Sequence, residues 1–142
     1  TEVKNQLKEE AGGIDLAIID GSPGIGCPVI ASLSGVDMVL IVAEPSISGI
    51  SDMERIIDTA DKFQVKTAVC INKYNVSLQN SEKIIRYCQK YDIPYMGRIP
   101  YDKKALEAIN NGQSIAEIDC SSGEAVKSVY RNTMALLYDR QM

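Results

Sequence analysis

The stretch DLAIIDGSPGIG, from Asp15 to Gly26, decides the fold expected for this chain. Its first half is a short apolar run, typical of a strand in a parallel sheet that is covered on both faces. Its second half carries three glycines and a proline, so the strand is predicted to end at Asp20. A carboxylate there, followed by a loop whose backbone can approach a ligand, is a common arrangement for holding magnesium and phosphate. Alternatively, Asp20 caps a turn and the glycines only shape a strand-to-helix connection.

Strand-length and helix-length patterns alternate along the rest of the chain. Further apolar runs of strand length occupy residues 36–43, 66–72 and 94–99. Composition and apolar spacing predict helices at about residues 1–11, 27–34, 51–63, 78–91, 102–111 and 121–137. Helices of crossover length join parallel strands in right-handed units. We therefore expect a single α/β domain over residues 1–142, with an open, mostly parallel sheet and helices on both faces.

Cap residues set the expected starts of three helices. Ser51 with Glu54, and Ser121 with Glu124, have the spacing of a capping box. Asp102 is positioned to cap the helix that follows it. The last helix is predicted to turn five apolar side chains towards the core: Val126, Val129, Tyr130, Met134 and Leu137.

Composition limits the class of protein. With 142 residues, a net charge of -4 and scattered basic residues, the chain fits one globular domain, and nucleic acid is not an expected partner. Residues 38–43 form the longest apolar stretch, too short for a transmembrane segment, and the N-terminus lacks the apolar core of a signal peptide, so we expect a cytoplasmic protein. The absence of histidine, and of any Cys-x-x-Cys pair among four cysteines, disfavours triad hydrolases, zinc sites and iron–sulfur clusters within this chain.

Ligands of open parallel sheets bind beyond the carboxyl ends of the strands. Four predicted junctions, at residues 20–26, 44–45, 72–73 and 99–102, are polar or rich in turn residues. We expect all four to meet at one edge of the sheet.

Four segments in order resemble the second half of a MinD/Mrp-type P-loop ATPase: IDLAIIDGSPGIG (14–26), VLIVAEPSISGISDMERII (39–57), VCINKYN (69–75) and GRIPYD (97–102). The chain is most similar to the subgroup that carries an inserted ferredoxin-like domain with iron–sulfur clusters. The resemblance implies a P-loop NTPase-like fold, the use of ATP and magnesium by the full-length protein, and a homodimer.

The same resemblance implies a role for each matching residue at the phosphates. Asp20 matches the aspartate of the Walker B and switch II region, which helps to hold magnesium, generally through water. Gly24 matches the glycine whose backbone N–H lies near the terminal phosphate. Glu44 and Pro45 match the end of the strand after switch II and are expected to support the site.

Other matching positions lie at the base. Asn72 matches the residue that reads the adenine edge, and Lys73 lies beside it; an amide suits this role because it both donates and accepts hydrogen bonds. Pro100, Tyr101 and Asp102 match the loop that flanks the base. Alternatively, Asn72 only ends a strand, Lys73 is a solvated lysine and Tyr101 packs against the last helix.

The chain departs from this family in one large respect. It has no Gly-x-x-x-x-Gly-Lys-Ser/Thr sequence and no lysine-rich variant of it, so the strand and loop that wrap the phosphates are missing. We expect a C-terminal fragment whose partners are nucleotide and its own N-terminal half. Iron–sulfur clusters would belong to the missing upstream module, and the chain alone is expected to bind no cofactor and to hydrolyse little ATP.

Removal of the phosphate-loop strand is expected to leave the backbone edge of residues 16–19 unpaired, and to favour self-association there or covering by the N-terminal segment. The alternative function is a complete, non-catalytic α/β binding or interaction module. A flavodoxin-like or dinucleotide-binding domain is less favoured, because no Gly-x-Gly-x-x-Gly follows the first predicted strand.

Overall fold

Strands and helices alternate in the computed structural model, which describes residues 16–21 and 33–139. The strands of the sheet are β1 (Met38–Ala43), β2 (Lys66–Asn72) and β3 (Tyr95–Ile99). The helices with described bounds are α1 (Ile47–Lys62), α2 (Leu78–Lys90), α3 (Lys103–Asn110) and α4 (Ser121–Asp139), and short 3-10 turns lie at Tyr74–Val76 and Ile115–Glu117. Within these ranges, no helix is long and apolar enough to cross a membrane.

The sheet is parallel, with the strand order β1-β2-β3. Strand β2 is central, and its residues 68–71 are at most 1% exposed. Such burial on both faces requires a continuous apolar run, which is why the bounds predicted for this strand are confirmed.

Helices cover both faces of β2, because alternate side chains of a strand point to opposite faces. On one face, Val69 and Ile71 pack with Met53 of α1 and with Ile84 of α2. On the other face, a second core joins four buried residues: Ala68, Cys70, Met96 and Val129 of α4. The predicted α/β sheet with helices on both faces is confirmed.

Helix α4 approaches β3 closely at Gly97. The register of β2 and β3 shifts here, since Val69 pairs with Tyr95 while Cys70 pairs with Gly97. Gly97 has a φ of 128°, and a Cβ at this position would lie 3.3 Å from Cγ2 of Val129. Backbone conformation and packing therefore both favour glycine. Tyr130, which we predicted to face the core from α4, is instead 53% exposed.

Helix α1 begins four residues earlier than its predicted capping box. Ser46, not Ser51, is the N-cap, and its Oγ accepts a hydrogen bond of 2.9 Å from the N–H of Gly49. A Cβ on Gly49 would lie 2.4 Å from the carbonyl oxygen of Glu44, so only glycine fits this tight turn after β1. Both serines suit a helix start, and the start at Ser46 goes with the local turn that brings the Glu44 carbonyl against Gly49.

The capping box predicted at Ser121 is also wrong. Helix α4 follows Cys120, whose Sγ accepts a hydrogen bond of 3.3 Å from the N–H of Gly123. The hydroxyl of Ser121 points elsewhere and donates to Oδ2 of Asp102 at 3.2 Å. The Ser121 hydroxyl therefore bonds to the N-cap residue of α3 instead of capping its own helix.

The strand predicted at residues 15–20 is not formed by the described residues 16–21, which have no regular secondary structure. The side chain of Ile18 is 78% exposed there. A strand needs a neighbour for its backbone hydrogen bonds, and in the described ranges β1 pairs only with β2. Among the described residues, β1 has a neighbour on one side only. Self-association through residues 16–19, or their covering by the N-terminal segment, stays a prediction.

Several predicted features lie outside the described residues. They are the helix at 1–11, most of the helix at 27–34, and Gly24.

We predict that Gly97→Ala destabilises the protein by about 2 kcal/mol. The positive φ is unfavourable for alanine, and the new Cβ would crowd the side chain of Val129. Gly112 is the matched control, since its φ is 70° but a Cβ there would meet open space. Gly112→Ala should cost only about 1 kcal/mol. Urea unfolding of both variants measures the difference, and equal costs would contradict the close approach of α4.

Candidate functional site

The carboxyl ends of the three strands meet at one edge, as predicted. The register places Ala43 beside Ile71, and Asn72 beside Ile99. Residues 44–45, 72–73 and 99–102 are therefore brought together. Asp20 lies in the described part of the fourth junction and is exposed, whereas Gly24 lies outside it.

Lys73 links the first two strand ends. Its backbone is left-handed, with a φ of 54°, and its Nζ lies 3.9 Å from Oε1 of Glu44. The two side chains are 49% and 60% exposed, so this ion pair adds about 1 kcal/mol of stability or less. Both charged groups remain accessible to a ligand at the edge. Pro45 contributes through its carbonyl oxygen, which accepts a hydrogen bond of 3.4 Å from Nδ2 of Asn80.

Asn75 links the second and third strand ends. Its Oδ1 accepts a hydrogen bond of 2.8 Å from the backbone N–H of Tyr101. The 3-10 turn that carries Asn75 is held in place, because the hydroxyl of Ser81 donates to the carbonyl of Tyr74 at 2.8 Å and the guanidinium of Arg98 lies 4.2 Å from the Tyr74 ring centroid. The loop after β2 thus fixes the loop after β3.

Asp102 closes the edge by capping two helices. Its Oδ1 accepts a hydrogen bond of 3.0 Å from the N–H of Lys104, which confirms the predicted cap of α3. Its Oδ2 accepts from the N–H and the hydroxyl of Ser122, at 3.2 and 3.1 Å, and from the hydroxyl of Ser121. The N–H groups of Ser122 and then Lys104 lower the pKa of this carboxyl below its usual value, because they favour the charged form.

The remaining predicted side chains stay open at the edge. Tyr101 is 50% exposed, and Asn72 and Pro100 are half-buried. The carboxylate of Asp102, in contrast, is committed to protein hydrogen bonds. The Tyr101 ring is therefore accessible at this edge, whereas the Asp102 carboxylate holds the loop in place.

Sequence reasoning missed three residues of this edge: Asn75, Ser121 and Ser122. Asn75 is the last residue of the motif VCINKYN, so the sequence could have indicated it as part of the site together with Asn72. Ser121 was visible only as a helix start and Ser122 not at all, because their bonds to Asp102 join residues far apart in the chain.

The described residues hold no group of three or more His, Cys, Asp or Glu side chains placed to bind a metal ion. Asp20 supplies one hard oxygen donor, which suits a water-mediated contact with magnesium but does not form a complete site. Burial raises the pKa of the Cys70 and Cys88 thiols to about 11, so they are neutral packing groups.

Relatives of the chain were found by sequence comparison, although no family model matches it. An uncharacterized protein of Methanocaldococcus jannaschii is 30% identical over 90% of this chain and 42% of its own length. The septum site-determining protein MinD of Helicobacter pylori is 25% identical over 84% of this chain and 49% of its own length. An iron–sulfur cluster carrier protein of Methanococcus maripaludis is 24% identical over 87% of this chain and 47% of its own length.

Relatives that match most of this chain, at 24–25% identity, are thus members of the MinD/Mrp family of P-loop ATPases. The three parallel strands with helices on both faces agree with the P-loop NTPase-like fold of those relatives. The chain spans about half or less of the length of the three relatives named above.

We predict that Asn75→Ala costs about 0.5–1 kcal/mol of stability, the lower part of the range for a hydrogen bond, because the bond is exposed and water can replace it. Amide exchange at Tyr101 should accelerate. Urea unfolding and hydrogen exchange measure the two effects. Gln79→Ala, at an exposed position of α2, is the control and should leave the Tyr101 amide unchanged.

We predict that the contribution of Asp102 to stability depends on pH. Because its folded pKa is lowered, the contribution is present above the ordinary value of 3.8 and is lost as the pH falls through the folded pKa. The loss of unfolding free energy in Asp102→Ala should be largest at neutral pH and shrink in acid. Urea unfolding at several pH values tests this, with Asp52→Ala on the exposed face of α1 as control. A difference that does not vary with pH would contradict the two-helix cap.

Proposed function

We propose that this chain supplies the C-terminal half of a nucleotide-binding ATPase of the MinD/Mrp type. The observation that carries the proposal is the fixed edge at the strand ends, where the bond from the Tyr101 N–H to Asn75 holds the predicted base loop next to Asn72. Similarity to MinD and to an iron–sulfur cluster carrier protein, both of the MinD/Mrp ATPase family, supports a nucleotide as the ligand of such an edge.

In this proposal, Asn72 donates to and accepts from the adenine edge, and Tyr101 flanks the ring. Lys73 lies beside Asn72 and adds a positive charge next to the base, and its exposed pair with Glu44 keeps it accessible. Asp20 accepts a hydrogen bond from water on magnesium, and Gly24 donates its N–H to the terminal phosphate. Magnesium, when bound, neutralises developing negative charge on the phosphates.

The phosphate loop would come from the other half of the protein. This part of the proposal is supported by the lack of a Walker A sequence here and by relatives about twice as long as the matched region. A homodimer that works in the cytoplasm is the assembly that we propose.

A link to iron–sulfur or redox work is a second part of the proposal. It is supported by the similarity to an iron–sulfur cluster carrier protein, at 24% identity. MinD is matched at 25% identity, so similarity alone does not favour either relative. Clusters, if present, would lie in an upstream module, since this chain has no Cys-x-x-Cys pair.

We predict that the 142-residue chain alone shows little turnover with magnesium and ATP, whereas the longer protein with a phosphate loop hydrolyses ATP. In that longer protein, Asp20→Ala should reduce kcat about 100-fold or more, as expected for loss of a metal-supporting carboxylate. Asp119→Ala, at an exposed loop position, is the control. Robust turnover by the chain alone that is lost in Asp20→Ala would overturn the division into halves.

Base recognition is tested separately. Asn72→Ala in the longer protein should raise KM for ATP about tenfold and reduce the preference for ATP over GTP. An unchanged preference would mean that Asn72 only ends β2. A chain that shows no response to nucleotide in any form would favour the alternative of a non-catalytic interaction module.

A further inference from the structure

A groove lies between α1 and α2 at the amino edge of the sheet, opposite the strand ends of the candidate nucleotide site. Its volume is about 920 Å³, and its floor is formed where β2 and β3 begin. Glu54, Asp58 and Asp61 line it from α1. Their spacing of four and three residues places them along one face of the helix. Tyr87 of α2 and Tyr91, the residue that caps the C-terminus of α2, form the facing wall.

The charges that line this groove are unbalanced. Asp92 adds a fourth carboxylate, and Lys66 is the lysine among the lining residues. The salt bridges of the described ranges join Glu44 to Lys73 and Glu124 to Lys127, and none involves a carboxylate of the groove. The four carboxylates outnumber Lys66 and the neighbouring Lys90, whose Nζ lies 5.3 Å from the Tyr91 ring centroid, and the excess negative charge favours a cation that enters.

The tyrosine wall also suits cationic side chains. The rings of Tyr87 and Tyr91 lie 4.6 Å apart and are tilted by 47°. Nζ of Lys90 lies 5.3 Å from the Tyr91 ring centroid, so this ring already contacts one cation of the chain itself. Burial is the main cause that raises the pKa of Tyr87, and the negative charges of Asp58 and Glu54 raise it further. The two carboxylates of α1 therefore lie close enough to this tyrosine to influence it.

We propose that this groove docks a basic helical segment of a partner protein, with arginine or lysine side chains spaced about one helical turn apart. The acidic face from Glu54 to Asp61 extends about 10 Å along α1, which is longer than one amine and matches two or three side chains of such a segment. Ile57, Ile93 and Pro94 line the space between the charges and would contact the apolar stems of those side chains.

The docking surface is separate from nucleotide binding. The candidate nucleotide site lies at the carboxyl ends of the strands, whereas the groove lies where β2 and β3 begin. A partner can therefore occupy the groove whether or not nucleotide is bound, and the proposal stands if the proposed ATPase function fails.

The test uses a fluorescein-labelled, alanine-rich helical peptide of about 15 residues with arginine at i, i+4 and i+7. We expect saturable binding to the 142-residue chain by fluorescence anisotropy, with amide shifts in spectra of the chain confined to α1, α2 and the start of β2. The same peptide with glutamate in place of arginine should not bind. Raising the ionic strength from about 0.05 to about 0.3 M should weaken binding.

The double variant Asp58→Asn with Asp61→Asn should weaken binding about three- to tenfold, as expected for two exposed ion pairs. The matched control, Glu107→Gln with Asp139→Asn, changes the net charge equally at exposed positions away from the groove and should keep the affinity. Circular dichroism verifies folding of both variants. Equal losses in the two variants, binding of the glutamate peptide, amide shifts elsewhere, or a second copy of the chain occupying the groove would each overturn the proposal.

Discussion

Burial of the central strand on both faces is the constraint on which the rest of the structure depends. Residues 68–71 of β2 are at most 1% exposed, with α1 and α2 on one face and α4 on the other. No polar side chain can be placed within such a run without loss of stability. Polar groups are therefore displaced to its two ends, where Asn72 meets the candidate nucleotide edge and Lys66 meets the acidic groove.

The carboxyl edge keeps its shape through bonds between side chains and backbone of distant residues. Asn75 holds the N–H of Tyr101, and Asp102 holds Ser122, so the loops after β2 and β3 and the start of α4 form one connected unit. These contacts leave Asn72 and Tyr101 open. Rigid loops with open side chains are suited to binding, because little conformational entropy is lost when a ligand arrives.

Features set by local composition were predictable from the sequence, and features set by contacts were not. Strand β2 was predicted with its observed bounds because a buried run ending in Asn72 permits few alternatives. The predicted N-caps of α1 and α4 were wrong. Several serines suit a cap at each place, and the contacts of neighbouring residues with Glu44 and Asp102 go with the starts that are observed. Residues 16–20 have the composition of a strand but no pairing neighbour in the described ranges, and composition cannot supply one. The site positions at 72–73 and 100–102 came from motif resemblance, whereas the bonds that Asn75, Ser121 and Ser122 make to the loop after β3 emerged only from the folded geometry.

The bonding of Asp102 has a mechanical consequence. One oxygen of its carboxylate accepts a hydrogen bond from the first turn of α3, and the other accepts one from the first turn of α4. Helix α4 has 19 residues, so its C-terminal end lies about 28 Å from the hydrogen bonds with Asp102. Because Asp102 directly follows Tyr101, the backbone of the loop after β3 is tied to the start of the longest described helix, and the position of that loop and the position of α4 are set together.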